Sequence, residues 1–88
     1  MKNVIRLFEY KDDTYSLAID VDSPNKELVD KIVTVIKNIL PDDVVISMIY
    51  DWDTIVVSQC VMLKIRNVNM YTYMHDIRSE VNNILNVN

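Results

Sequence analysis

Hydrophobic and polar residues alternate near the start of the chain in a way that predicts two β-strands. Within residues 14–21, Tyr15, Leu17 and Ile19 alternate with polar or small residues, and this period of two is typical of a strand with one buried face. Another apolar stretch covers residues 4–10, and the short Lys-Asp-Asp segment between the stretches has turn-forming chemistry. The pattern therefore predicts an antiparallel hairpin.

The period then changes to that of a helix. Ser23 is a favoured N-cap residue and Pro24 suits the first helical position, so we expect a helix to begin there. An apolar stripe at helical spacing follows, consisting of Leu28, Ile32, Ile36 and Ile39. Pro41 disfavours the helical state of the residue before it, so the helix is predicted to end at Leu40.

The second half of the chain repeats this order of elements. Residues 44–50 and 54–66 are predicted to be strands joined by a turn at Asp51-Trp52-Asp53, with a bulge near Ser58-Gln59 because the fourth strand is long. A last helix, capped by Asn67 or Asn69, is expected to run to residue 87. The fold class is then α+β with the order ββαββα. We expect a single domain, residues 1–88, with a four-stranded antiparallel sheet and two helices packed on one face.

The two halves also share a short motif. Tyr10 and Thr14 flank the first predicted turn, and Tyr50 and Thr54 flank the second at a constant offset of 40 residues (54 − 14). A ββα pseudo-repeat of residues 3–40 and 43–87 is one interpretation of this match, and coincidence is the other.

Composition excludes several classes of function. The chain has no glycine, which excludes every glycine-rich phosphate-binding loop. It carries 13 acidic against 9 basic residues without a basic stripe, so we expect no direct nucleic-acid partner. No apolar run approaches the length of about 18 residues needed to span a membrane. The first six residues do not resemble a signal peptide, and Cys60 is the only cysteine. We therefore expect a cytoplasmic protein, in the host cytoplasm if it is viral.

Few residues have the spacing that catalysis requires. Asp51 and Asp53 resemble a pair of metal-binding carboxylates, but a turn with two capping side chains is the simpler interpretation. Cys60 is interpreted as a small buried hydrophobe and His75 as a solvated helix residue, because neither has an evident catalytic partner. The sequence therefore predicts no catalytic residue, no cofactor, no bound metal and no enzymatic activity.

The second predicted hairpin is apolar on both of its faces, which one layer of helices cannot cover. With three-residue hairpin loops, Val45 and Ile49 point to the core side, and the outer side is left without cover. Two-residue loops would pair the strands differently, but the second hairpin would still be apolar on both faces. The predicted protein interface comprises Phe8, Tyr10, Val44, Ile46, Met48, Tyr50, Trp52, Val56, Cys60 and Met62. Within this set, Trp52 is either an exposed anchor for a partner or a lid folded over the sheet edge. We expect the face to bind another protein, with a second copy of the chain as the default partner.

These observations favour a non-catalytic protein-binding or inhibitor module. The many Asn, Ile and Val residues fit an A/T-rich genome, so the chain is interpreted as an accessory protein of a phage or mobile element that antagonises a host-defence protein. A small-ligand or metal-assisted hydrolytic homodimer, using Asp51, Asp53 and His75, is one alternative. A structural or regulatory oligomerisation subunit is the other.

Overall fold

The computed structural model describes residues 4–87 and shows the predicted α+β class, with one antiparallel sheet in the strand order β1-β2-β4-β3. The elements are β1 (Ile5–Glu9), β2 (Thr14–Asp20), α1 (Lys26–Ile39), β3 (Val45–Met48), α2 (Trp52–Ser58), β4 (Cys60–Arg66), a 3₁₀ turn (Met70–Thr72) and α3 (Met74–Val87). Residues 1–3 and 88, at the ends of the predicted 1–88 domain, lie outside the described residues. The pseudo-repeat of residues 3–40 and 43–87 stays a prediction.

The core lies between one face of the sheet and the helices. Leu7 of β1 pairs with Leu17 of β2, which pairs with Leu63 of β4, and Leu63 also pairs with Met48 of β3. Leu17 and Leu63, on the two central strands, are fully buried. The helices complete this cluster with Leu28, Val29, Ile32, Ile36, Met74, Ile77 and Val81. One row of apolar side chains therefore crosses all four strands under the helices.

The first helix begins two residues later than its sequence predicts. Its N-cap is Asn25 rather than Ser23, because the Asn25 side chain accepts a hydrogen bond of 2.9 Å from the Leu28 backbone N–H. Leu40 ends the helix in an extended conformation before Pro41, as expected. The stripe facing the sheet is the predicted one, and the helix start differs only because two cap-forming residues compete within three positions.

The predicted turn at residues 51–53 and the strand beginning at residue 54 are wrong, because α2 occupies this segment. The Asp51 side chain accepts a hydrogen bond of 2.8 Å from the Thr54 backbone N–H and thereby caps the helix. Ile55 points into the core with 1% of its surface exposed. Gln59 ends the helix in the left-handed region at φ 54°, where the sequence predicted a bulge. The strand after it is seven residues long, so it needs no bulge.

The first hairpin has a three-residue loop, one of the two lengths that the sequence allows, with the Tyr10 backbone N–H donating to the Thr14 carbonyl at 2.8 Å. Asp12 and Asp13 in the loop both have positive φ, 58° and 53°. A chain without glycine must place ordinary residues in this left-handed region, where a Cβ is unfavourable by roughly 1–2 kcal/mol. Aspartate is one of the few residues that tolerates it.

Replacing Asp13 with glycine is expected to raise the free energy of unfolding by about 1 kcal/mol, because the second central position of such a turn favours glycine. Urea denaturation followed by circular dichroism measures the change. Lys11→Gly is the matched control: Lys11 is in the same loop without a positive φ, so it should give no gain. Equal effects of the two substitutions would contradict the turn geometry.

Candidate functional site

The sheet has one face that the helices do not cover, and we call it the open face. Its members follow from the strand register, because cross-strand partners point to the same side of a sheet. They are Arg6 and Phe8 of β1, Thr14, Ser16, Ala18 and Asp20 of β2, Cys60, Met62, Lys64 and Arg66 of β4, and Val45 and Ser47 of β3. Val4, Tyr10 and Ile49 extend the set, since each forms a backbone hydrogen bond with an open-face residue of the neighbouring strand.

Large apolar side chains are concentrated on the open face. Among the described residues, nine large hydrophobic side chains are exposed. The five that belong to the open face, each 42–59% exposed, are Val4, Phe8, Tyr10, Val45 and Ile49. Met62 lies among them and is partly buried. Phe8, Tyr10, Ile49 and Met62 line one depression, and exposed apolar side chains grouped in this way mark an interaction site.

Tyr10 is fixed across this face. The Ser16 hydroxyl donates a hydrogen bond of 3.3 Å to the Tyr10 hydroxyl, so the ring extends from the end of β1 toward the middle of the sheet. With Phe8, Ile49 and Met62, it lines a shallow depression of about 300 Å³. The depression has an apolar floor and one polar group at its wall, which is the chemistry of a site for a partner's side chain.

The charges of the open face are mostly positive. Arg6 and Asp20 form an ion pair of 3.2 Å at one end. Lys64 and Arg66 are exposed, and no acidic side chain of residues 4–87 lies within ion-pair distance of either. The face therefore carries three basic residues and one acidic residue, a balance of +2, in a chain whose net charge is −4. Two cations beside an apolar patch can receive carboxylates from a partner.

Four residues of the predicted interface lie on the open face: Phe8, Tyr10, Cys60 and Met62. Cys60 contributes little contact surface, because it is buried as predicted. Burial, with the nearby Asp20 carboxylate, raises the pKa of its thiol, so Cys60 is protonated rather than a reactive thiolate.

The predicted orientation of the third strand is wrong. Ile46 pairs with Ile65 and Met48 pairs with Leu63, so both point to the helix side. Val44 and Tyr50, at the ends of this strand, are partly buried against the core. The open side of the strand carries the opposite set, with Val45 and Ile49 as its apolar members.

Two further predicted interface residues belong to α2 and not to the sheet. Trp52 is partly buried against the core, and the Lys26 ammonium lies 5.7 Å from the centre of its ring. This position agrees with the lid alternative rather than the exposed anchor, because the ring packs against the core. Val56 is exposed on the outer surface of α2.

The candidate catalytic residues occupy structural positions. Hydrogen bonds from the hydroxyl and the backbone N–H of Thr54 hold the pKa of Asp51 below its ordinary value, since they favour the carboxylate that caps α2. His75 is exposed in the first turn of α3. Within residues 4–87, no three His, Cys, Asp or Glu side chains are grouped to hold a metal ion.

Sequence reasoning missed Val4, Val45, Ile49, Lys64 and Arg66 on the open face. The error in register came from treating residues 51–53 as a hairpin turn. Asp is also a favoured N-cap ahead of an apolar run, and an acidic residue such as Asp53 suits the first turn of a helix. That interpretation removes the hairpin constraint on the third strand.

No helix among residues 4–87 is long and apolar enough to cross a membrane. The chain matches no protein-family model, and neither the curated proteins nor the solved structures include a significant match to it.

Proposed function

We propose that this protein is a non-catalytic protein-binding module that inhibits its partner by covering part of the partner's surface with the open face. The observation that carries the proposal is the grouping of exposed apolar side chains on the one sheet face without helices. That face also lacks grouped catalytic side chains, so binding is the activity its chemistry supports. The composition supports an origin in a phage or mobile element, with a host-defence protein as the partner.

The apolar patch, formed by the five exposed apolar side chains of the open face, is too small to hold a tight complex by itself. Each of the five exposed side chains is already about half covered, so a partner that covers the rest gains roughly 4–7 kcal/mol in total. Forming a complex costs about 4–15 kcal/mol in lost freedom of motion. The apolar contacts therefore exceed only the low end of this cost, and a tight complex needs polar contacts as well.

Lys64 and Arg66 define the partner's chemistry. Both cations are available for ion pairs, and hydrogen-bonded charge pairs at the middle of an interface contribute more than exposed ones. A second copy stacked on the same face would bring two more such cations and only Asp20, which Arg6 already pairs. The open face thus fits an acidic surface with apolar residues on a different protein.

The proposal predicts a partner whose binding depends on Phe8 but not on Val57. Phe8→Asp places a charge in the apolar patch, and Val57→Asp makes a similar change on α2, where Val57 is 86% exposed. Tagged wild-type and variant proteins are expressed in the native host, and retained proteins are identified by mass spectrometry. A true partner should be retained by wild type and Val57→Asp, and lost with Phe8→Asp.

The identified partner is then purified and titrated calorimetrically with each form. We expect Phe8→Asp to weaken binding at least tenfold and Lys64→Glu to do the same, with affinity falling as salt is raised. Circular dichroism checks that each variant is folded. If Phe8→Asp does not fold, Lys64→Glu tests whether the open face binds the partner. Equal affinity for all forms, or a partner lost with Val57→Asp alone, would contradict binding by the open face.

A further inference from the structure

The two edge strands of the sheet differ in how they are protected. At the β1 edge, Arg78 of α3 donates a hydrogen bond of 2.7 Å to the Ile5 carbonyl, and the strand carries the charged residues Arg6 and Glu9. The β3 edge, Val45–Met48, has no charged residue and no proline. Charges, proline and covering groups are the usual protection against pairing of an edge with another strand. Only the β3 edge lacks them.

The backbone groups of this edge have a definite arrangement. The Ile49 N–H donates to the Met62 carbonyl at 2.9 Å, which makes Ile49 and Met62 a hydrogen-bonded pair. Because such pairs alternate along an antiparallel ladder, Ser47 with Lys64 is the next one. The N–H and C=O groups of Ile46 and Met48 therefore point away from the sheet, and among residues 4–87 no hydrogen bond to them is present.

We propose that β3 pairs with β3 of a second copy of this chain, in antiparallel register about a two-fold axis at Ser47. This register places Ile46 opposite Met48 of the mate and uses the outward backbone groups of both residues in both chains. The result is a continuous eight-stranded sheet. Its two remaining edges are β1 edges, which are protected, so the assembly stops at two chains.

The side chains of the edge are complementary to themselves in this register. On the open face Val45 lies opposite Ile49 of the mate, and on the helix side Ile46 lies opposite Met48 of the mate. Val45, Met48 and Ile49 are all exposed in the single chain, and the mate would cover the flank of each of them while Val45 and Ile49 stay on the open face. Ser47 lies opposite Ser47 of the mate, and because serine is uncharged, this pair brings no like charges together.

The helix beneath the edge is also compatible with pairing. Met48 shares a depression with Lys26 and Asp30 of α1, and Ile46 shares one with Lys37 and Asp42. A two-fold axis at Ser47 brings the first depression of one chain beside the second depression of its mate. The first depression contributes one basic residue and two acidic residues, since Asp51 also lines it, and the second contributes one of each, so opposite charges can face each other across the axis.

The first test of the dimer measures the mass of the protein in solution and compares wild type with a variant that carries a charge at the two-fold axis. Wild-type protein at high micromolar concentration should give twice the 10.3 kDa chain mass in size-exclusion chromatography with light scattering. Ser47→Lys places two lysines opposite each other and should halve the mass, while Ser79→Lys adds the same charge on exposed α3 and should leave a dimer. A wild-type monomer, or a dimer that survives Ser47→Lys, would overturn the proposal.

Cysteine cross-linking tests the register, in a Cys60→Ala background that removes the native thiol. Two Ser47→Cys chains bring their Cα atoms to about 4.5 Å, within disulfide range, and should cross-link rapidly under mild oxidation. Val45→Cys chains alone should not cross-link, whereas a mixture of Val45→Cys and Ile49→Cys chains should form a disulfide. Cross-linking of Val45→Cys to itself, or none in the mixture, would overturn the register.

The dimer does not rest on the function proposed for the open face. The axis stands perpendicular to the sheet, so both open faces lie on the same side and form one larger surface. Phe8 lies on β1, the strand farthest from the axis. Phe8→Asp should therefore weaken binding of the partner at least tenfold and leave the dimer intact, whereas Ser47→Lys should give a monomer that keeps Phe8 and the depression beside it.

Discussion

Replacing Leu63 with alanine is expected to lower the free energy of unfolding by about 3–5 kcal/mol. Leu63 is fully buried on β4, the strand that joins β2 to β3, and it lies between Leu17 and Met48 in the apolar row. No helix can move inward without losing its own contacts with the row, so the cavity stays open. A chain of 88 residues has about 4–13 kcal/mol of stability, and this loss removes a large part of it.

Leu7→Ala is the matched control for this prediction, because Leu7 lies at the β1 end of the same row and is only partly buried. It should cost less than half as much as Leu63→Ala in urea denaturation followed by circular dichroism. A loss at Leu7 as large as at Leu63 would mean that the core is not centred on β2 and β4.

The first half of the fold could be predicted because its determinants are local. Tyr15, Leu17 and Ile19 alternate strictly with polar or small residues, and the loop before them accepts positive φ at Asp12 and Asp13. These features set the register of the first hairpin without reference to the rest of the chain. The buried stripe of α1 has the same local origin.

The segment that forms α2 could not be predicted in this way, because its local preferences conflict. Thr54, Ile55, Val56 and Val57 are β-branched and favour a strand by intrinsic propensity. The Asp51 cap favours a helix locally, and the burial of Ile55 adds to it only when the end of the sheet is present to pack against. Tertiary packing therefore decided the structure of these seven residues.

The turn predicted at residues 51–53 changed which residues the sequence assigned to the open face. A strand that slips by one residue turns every side chain to the other face of the sheet. Val45 and Ile49 exchanged faces with Ile46 and Met48 in this way, although the apolar character of both faces was evident from the sequence. Phe8 and Tyr10 were placed correctly because the first hairpin fixes them independently.

Two alanine substitutions in α2 separate the helix from the strand that the sequence predicts. In a strand, Ile55 and Val57 would point to the same face and respond alike. In α2, Ile55 is 1% exposed and Val57 is 86% exposed, so Ile55→Ala should lower the free energy of unfolding by about 2–4 kcal/mol. Val57→Ala should leave it unchanged or raise it by roughly 0.5 kcal/mol, since alanine favours a helix more than valine does. Equal losses of unfolding free energy in urea denaturation would show that residues 54–58 extend β4. The second hairpin that the sequence predicts would then be correct.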